Sequence, residues 1–146
     1  MKVAIVGAKT ATKEQILEAI QASTFKIDSF ITAEGSEIDN IINEYAQSKQ
    51  LKVASYGINW NDLSGDNVSI AINKWDKPYN KNAPANRTAD IVNDCDAMII
   101  IDDNEIEANQ CKRKIESSGK PSYIYSLIRK SFGGMKANAE GYIYEF

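Results

Sequence analysis

The sequence contains no histidine, and this absence excludes more chemistry than any other feature of its composition. Without histidine the chain has neither a Ser-His-Asp nor a Cys-His mechanism, and no histidine-ligated metal site. Its two cysteines, Cys95 and Cys111, form no CxxC pair, so we expect each to be a small buried residue in a reducing compartment. Any catalysis must rest on carboxylates, lysine, tyrosine or bound water, and we expect no metal ion and no cofactor.

Long apolar runs are also missing, and a membrane-spanning helix needs roughly 18 or more apolar residues in succession. Met1-Lys2 leads directly into a strand-like run without the apolar core of a signal peptide, so we expect a cytoplasmic protein with no membrane partner. The net charge of −3 argues against nucleic acid as a partner, because a phosphate backbone attracts basic surfaces.

What is present is an alternation of short apolar runs with helix-like segments, in 146 residues that can bury one core. Thr12 with Gln15 is typical of a capping box. Asn104 with Glu107 is predicted to cap a later helix that ends at Gly119. We predict an α/β fold with a mainly parallel five-stranded sheet and helices on its faces, from strands at 2–6, 29–32, 51–56, 96–101 and 122–125.

Two segments depart from this rhythm. The segment 57–73 is predicted to be an insertion, because its apolar-polar alternation at 68–72 is typical of an added strand or hairpin arm. The segment 127–146 is predicted to be a C-terminal extension with a final strand at 141–146. Its aromatic end is expected to pack on the domain itself or on a partner subunit, so we expect a homo-oligomer, a dimer or higher.

The polar stretch 75–88 lies between two strand-like runs and just ahead of a helix that Pro84 is predicted to open. It contains aromatic rings, several amides, two lysines and an arginine. A loop rich in hydrogen-bond donors at the ends of α/β strands is where such folds bind anionic ligands. We therefore expect a ligand to contact this stretch.

Several short motifs occur in a consistent order along residues 1–126. Val6-Gly7-Ala8-Lys9-Thr10 follows the first strand, the residues 32–39 follow the second, and Trp75 precedes Arg87 before the third helix. Together with Gly119-Lys120-Pro121, these motifs resemble the short stand-alone proteins of the SLOG superfamily. Those proteins are Rossmann-like domains related to DprA and to the LOG (lysine-decarboxylase-like) proteins. The resemblance implies a three-layer Rossmann-like fold and a single nucleotide-binding domain over residues 1–146.

This chain also departs from the family's pattern. The paired glycines after the second strand are replaced by Ala33 and Glu34, and a carboxylate there repels a phosphate. The Gly-Thr pair that opens the helix after the fourth strand has no counterpart around 105–111. The Pro-Gly-Gly-x-Gly-Thr signature of the LOG enzymes is missing as well.

The resemblance implies a crevice at the carboxyl edge of the sheet, with the ligand-binding residues Gly7, Lys9, Thr10, Thr32, Glu34, Gly35, Ser36, Trp75, Asn82, Asn86 and Arg87. Lys9 and Arg87 are suited to neutralise a phosphate. Arg87 also suits a pairing with Asp90 or the capping of a neighbouring helix, and Trp75 suits a position under the loop as a core anchor. Carboxylates that follow strands, Asp102 and Asp103, suit either acid/base chemistry or the capping of the next helix.

Three functions remain open at this point. The first is binding of a nucleotide-derived molecule, of adenosine, ADP-ribose or cyclic signalling type, by a sensor or sequestering protein. The second is N-glycosidic cleavage or transfer on a nucleoside phosphate, with Glu34, Asp102 or Asp103 as the catalytic carboxylate. The third is a protein–protein adaptor that keeps the fold without a ligand.

Overall fold

A computed structural model describes residues 1–64 and 67–127 of the chain. Strands and helices alternate along it, apart from one pair of adjacent short strands in the middle. The strands are β1 (Lys2–Gly7), β2 (Ser29–Ala33), β3 (Lys52–Tyr56), β4 (Ile70–Ile72), β5 (Pro78–Asn80), β6 (Ala97–Asp102) and β7 (Ser122–Ser126). The helices are α1 (Lys13–Ser23), α2 (Glu37–Lys49), α3 (Ala83–Asp94) and α4 (Ile106–Ser118).

Five of the strands form one all-parallel sheet in the order β3-β2-β1-β6-β7. The chain adds strands outward from β1 to β3 and then crosses back to place β6 on the other side of β1. The connections therefore diverge between β1 and β6, and this switch point is where open α/β sheets form ligand crevices. The predicted α/β fold with a five-stranded parallel sheet is confirmed, and it is consistent with a Rossmann-like fold.

The sheet is covered on both faces, which gives three layers. Along β6 every residue is buried, as expected for a central parallel strand. Ile99 and Ile101 belong to the core shared with α1 and α2, whereas Met98 and Ile100 belong to the core shared with α3 and α4. This division follows from the alternation of side chains along a strand. No helix of the described ranges 1–64 and 67–127 is long and apolar enough to cross a membrane.

The ends of the helices agree with the sequence predictions at three points and differ at one. The capping box of Thr12 and Gln15 forms, Pro84 lies in the first turn of α3, and Gly119 ends α4 with a φ of 74°. The predicted cap of α4 by Asn104 is wrong, because Glu105 occupies that position. The backbone N–H of Asn104 instead donates to the Asp102 carboxylate in a tight turn at 2.8 Å.

The insertion is an antiparallel hairpin of β4 and β5, separate from the main sheet. The added strand predicted at 68–72 is shortened to β4. The stretch 75–88 is not one loop, because its residues 78–80 pair with β4 as β5 and its residues 83–88 form the first half of α3. The predicted C-terminal extension, beyond Leu127, lies outside the described residues.

Candidate functional site

A crevice of about 1000 Å³ lies at the carboxyl edge of the parallel sheet, where α2, α3 and α4 begin. Eight of the residues singled out in the sequence line it: Gly7, Lys9, Thr10, Glu34, Gly35, Ser36, Arg87 and Asp103. They come from the ends of three strands and from one helix. The chain crossing between β1 and β6 explains why residues so distant in sequence share one crevice.

Gly7 sets the geometry of the first loop. Its φ is +128°, and a Cβ at this position would lie 2.1 Å from the carbonyl oxygen of Ile101. The next residue, Ala8, donates its N–H to the same oxygen at 2.8 Å. Only glycine permits this close approach of β1 to β6, and the loop then presents the exposed Lys9 and Thr10 to the crevice.

The second loop, between β2 and α2, is held from below by the buried carboxylate of Asp39. Its Oδ1 accepts hydrogen bonds from the hydroxyls of Thr32 and Ser55, each at 2.6 Å, and from Asn43 Nδ2 at 2.8 Å. Its Oδ2 accepts from the backbone N–H of Gly35 at 3.3 Å. These bonds connect two strands, the loop and the helix through one side chain.

The ionisation of Asp39 reflects two opposing effects. Burial raises the pKa of its carboxyl group, but the hydrogen bonds from Ser55, Thr32, Gly35 and Asn43 outweigh burial, so that the pKa is lowered from 3.8. Thr32, predicted as a ligand contact, is fully buried and directs its hydroxyl to this carboxylate. Thr32 therefore supports the loop from the core and does not line the crevice.

Glu34 stands at the exposed tip of the same loop. Its backbone N–H donates to the carbonyl of Tyr56 at 2.9 Å, which fixes the loop against the end of β3. Its carboxylate lies over Gly57, where a Cβ would come within 3.1 Å of Glu34 Oε2. The carboxylate is thus at the boundary between the crevice and the insertion.

Arg87 enters the crevice from the second turn of α3, and its side chain is only 13% exposed. Its Nη2 lies 3.6 Å from Glu107 Oε1 on α4, so its ionic partner is not the predicted Asp90. Its buried Nε has no hydrogen-bond partner among residues 1–64 and 67–127. The guanidinium is therefore positioned mainly by packing, with one loose ion pair.

The two carboxylates after β6 are engaged in the turn that leads to α4. Asp102 is buried and accepts hydrogen bonds from Lys112 Nζ and from the N–H of Asn104, each at 2.8 Å. Asp103 lines the crevice, yet its Oδ1 accepts the N–H of Glu105 at 3.0 Å. Both carboxylates therefore stabilise the turn that precedes α4, and among the described residues the expected side-chain capping of the helix is not formed.

Three further predicted contacts lie away from the crevice. Trp75 is 68% exposed at the tip of the hairpin, so the alternative of a core anchor is wrong. Asn82 occupies the N-cap position of α3, and its N–H donates to Asn80 Oδ1 at 2.9 Å. Asn86 donates its side-chain amide to the carbonyl of Asn67 at 2.9 Å. None of the three lines the crevice.

The structure also adds crevice residues that sequence reasoning missed. Glu37, Glu105 and Glu107 lie in the first turns of α2 and α4, and Thr88 and Gln110 lie one turn farther along α3 and α4. The convergence of helix starts at a switch point was a usable signal for them. The apolar residues of the crevice, Ile58, Pro84 and Ile106, carry no such signal.

The two cysteines, Cys95 and Cys111, are both buried and carry no disulfide. Burial raises the pKa of the Cys111 thiol to about 12, and burial likewise raises that of Cys95. Within residues 1–64 and 67–127, no group of three or more Cys, Asp or Glu side chains is placed to hold a metal ion. In comparisons with known proteins, no family model, no curated protein and no solved structure matches this chain.

Proposed function

We propose that the crevice binds a nucleotide-derived small molecule and that the protein acts as a sensor or sequestering protein of SLOG type. One observation carries this proposal. Eight residues named from separate motifs of the sequence line one crevice at the switch point of the sheet.

The crevice has a suitable size and mixture of groups. Its volume of about 1000 Å³ lies at the upper end of the range for small-molecule sites, roughly 300–1,000 Å³. Ile58 and Ile106 provide apolar surface for a base, and Lys9 and Arg87 provide positive charge for a phosphate. The exposed Glu34 is suited to accept hydrogen bonds from a ribose diol.

Binding without turnover is favoured because two of the three candidate catalytic carboxylates already make hydrogen bonds within the protein. Asp102 is already paired with Lys112, and Asp103 accepts a backbone N–H in its own turn. Glu34 is then the remaining acid of the three proposed for N-glycosidic chemistry. A sequestering protein needs no activated group, because burial of the ligand is sufficient.

A thermal-shift screen of adenosine, AMP, cyclic AMP and ADP-ribose tests the proposal. We expect at least one probe to raise the Tm, since a ligand that binds only the folded state stabilises it. Chromatography of the incubated probe should return it unchanged, and release of free base would replace binding by catalysis. Arg87→Ala should reduce the shift given by AMP, whereas Arg113→Ala, on the exposed face of α4, should retain it. The absence of any shift would favour the adaptor.

A further inference from the structure

The charges that line the crevice are predominantly negative. Among the described residues, 1–64 and 67–127, two cations line it, Lys9 and Arg87. Against them stand five carboxylates, which leave a formal charge of −3: Glu34, Glu37, Asp103, Glu105 and Glu107. A site built to hold several phosphates has the opposite balance, because each phosphate charge needs a cationic or N–H partner.

The helix starts around the crevice show the same imbalance. The N-terminus of a helix attracts anions, and an acidic residue in the first turn already satisfies that attraction. Helix α2 has Glu37 and Asp39 in its first turn, and α4 has Glu107. Helix α3 has no acidic residue there and, among the described residues, no side-chain cap. One helix start of the three is thus left for an anionic group.

Arg87 extends from the second turn of that same helix and lines the crevice. Its guanidinium is shared with Glu107, at 3.6 Å between Nη2 and Oε1. An incoming phosphate must therefore compete with the Glu107 carboxylate for Arg87 and is repelled by it. In the described part of the chain, a second or third phosphate meets the remaining carboxylates with Lys9 as the one further cation.

We propose that the crevice selects ligands by low negative charge, accepting at most one phosphate group, with Glu107 as the residue that determines this specificity. The inference rests on the proposed function. Within the range of nucleotide derivatives it favours nucleosides and cyclic mononucleotides over ADP-ribose-type molecules and polyphosphates. The single phosphate lies at the start of α3 beside Arg87, and the carboxylates face the hydroxyl and amino groups of the ligand.

Calorimetric titration of the full chain with adenosine, AMP, ADP and ATP, without divalent cations, tests this selection. We expect the affinity to fall about tenfold for each phosphate beyond the first, because like charges at short range repel strongly. ATP binding should strengthen as potassium chloride is raised, since salt screens repulsion. Affinity that rises with phosphate number and weakens with salt would overturn the inference while leaving the proposed function intact. Failure of all four probes to bind, together with no shift from cyclic AMP or ADP-ribose in the thermal screen, would overturn both.

A variant pair assigns the effect to one side chain. Glu107→Gln should raise the ratio of ATP affinity to adenosine affinity about tenfold, because it removes a negative charge and releases Arg87. Glu116→Gln makes the same charge change on an exposed turn of the same helix and should leave the ratio as in the wild type. An unchanged ratio in Glu107→Gln, with its Tm preserved, contradicts the role given to Glu107. The salt series on the wild-type chain tests the charge selection without any substitution.

Discussion

The crevice and the hairpin of β4 and β5 have opposite surroundings, although the polar stretch 75–88 contributes residues to both. Arg87 lies in the crevice with a side chain 13% exposed, whereas Trp75, in the same polar stretch, is 68% exposed. The crevice loops are joined to the core by Gly7 and by the Asp39 carboxylate. The hairpin instead contacts its own segment, as in the edge-on packing of Trp60 against Tyr79.

This difference shows that an alternating apolar pattern predicts a strand but does not predict whether that strand is buried. Of the six exposed large hydrophobic side chains in the described ranges, five belong to the insertion and its hairpin: Trp60, Leu63, Ile70, Ile72 and Trp75. They alternate or repeat as core residues do, yet the hairpin carries them away from the sheet. Four pairs of substitutions test how far this contrast extends. In each pair, a substitution is compared with a control substitution in a different environment.

The largest effect is expected for Gly7→Ala. The added methyl would lie 2.1 Å from Ile101 O at a φ of +128°, so we expect the free energy of unfolding to fall by about 4 kcal/mol or more. Gly35→Ala is the control, because it also has a positive φ but no atom within 4 Å, and should cost about 1 kcal/mol. Urea unfolding measures both, and equal losses would show that β1 and β6 can separate.

The next largest effect is expected for Asp39→Ala, which removes the carboxylate that accepts hydrogen bonds from Thr32, Ser55 and Asn43. We expect a loss of about 3 kcal/mol at neutral pH. Because the folded pKa of Asp39 is lowered, its contribution is present above the unfolded value of 3.8 and lost as pH falls toward the folded pKa. The difference between wild type and variant in urea unfolding should therefore shrink below pH 3.8.

The control for Asp39→Ala is a substitution of Asn73 in the hairpin. Asn73 Oδ1 accepts the N–H groups of Trp75 and Lys77 at 2.9 and 3.0 Å in an exposed turn. Asn73→Ala should cost about 1 kcal/mol, with no dependence on pH in the same range, because water replaces the lost acceptor. A cost equal to that of Asp39→Ala would mean that the hairpin is as firmly anchored as the crevice.

A smaller effect is expected on ligand binding when Arg87 or Trp75, which lie near opposite ends of the polar stretch 75–88, is substituted. Arg87→Met should weaken the binding of AMP by roughly tenfold to a hundredfold, the range of a charge-assisted hydrogen bond. Trp75→Ala should leave the affinity unchanged, because this ring lies on the hairpin tip. Calorimetry of both variants decides the matter, and weakened binding in Trp75→Ala would show that the hairpin closes over the crevice.

The smallest effect is expected for Ile72→Val on the exposed face of β4. We expect the free energy of unfolding to fall by less than about 0.5 kcal/mol, against about 1 kcal/mol for Ile100→Val in the buried strand β6.

Light scattering of the same variants addresses the predicted homo-oligomer, which stays a prediction. A lower mass for Ile72→Val than for Ile100→Val would identify the hairpin as an interface between copies.

Local patterns were sufficient for the elements of the fold and for part of the site. The buried run of β6, the capping box at Thr12 and the C-cap at Gly119 each depend on a few neighbouring residues, so the sequence alone predicts them. The loop residues Lys9 and Glu34 were also predictable, because parallel strands end at one edge of the sheet. The turn after β6 could not be predicted from the sequence, because the choice of Glu105 as N-cap depends on how Asp102 and Asp103 bind backbone N–H groups.

By itself, the sequence determined the alternation of strands and helices and the absence of histidine chemistry, because periodicity and composition are local properties. The tertiary structure alone decided which polar residues face one another. It paired Arg87 with Glu107 on a different helix and turned the Thr32 hydroxyl toward Asp39. It also moved Trp75 onto a separate hairpin. Such contacts depend on strand order and on the crossing between β1 and β6, which no short window of residues contains.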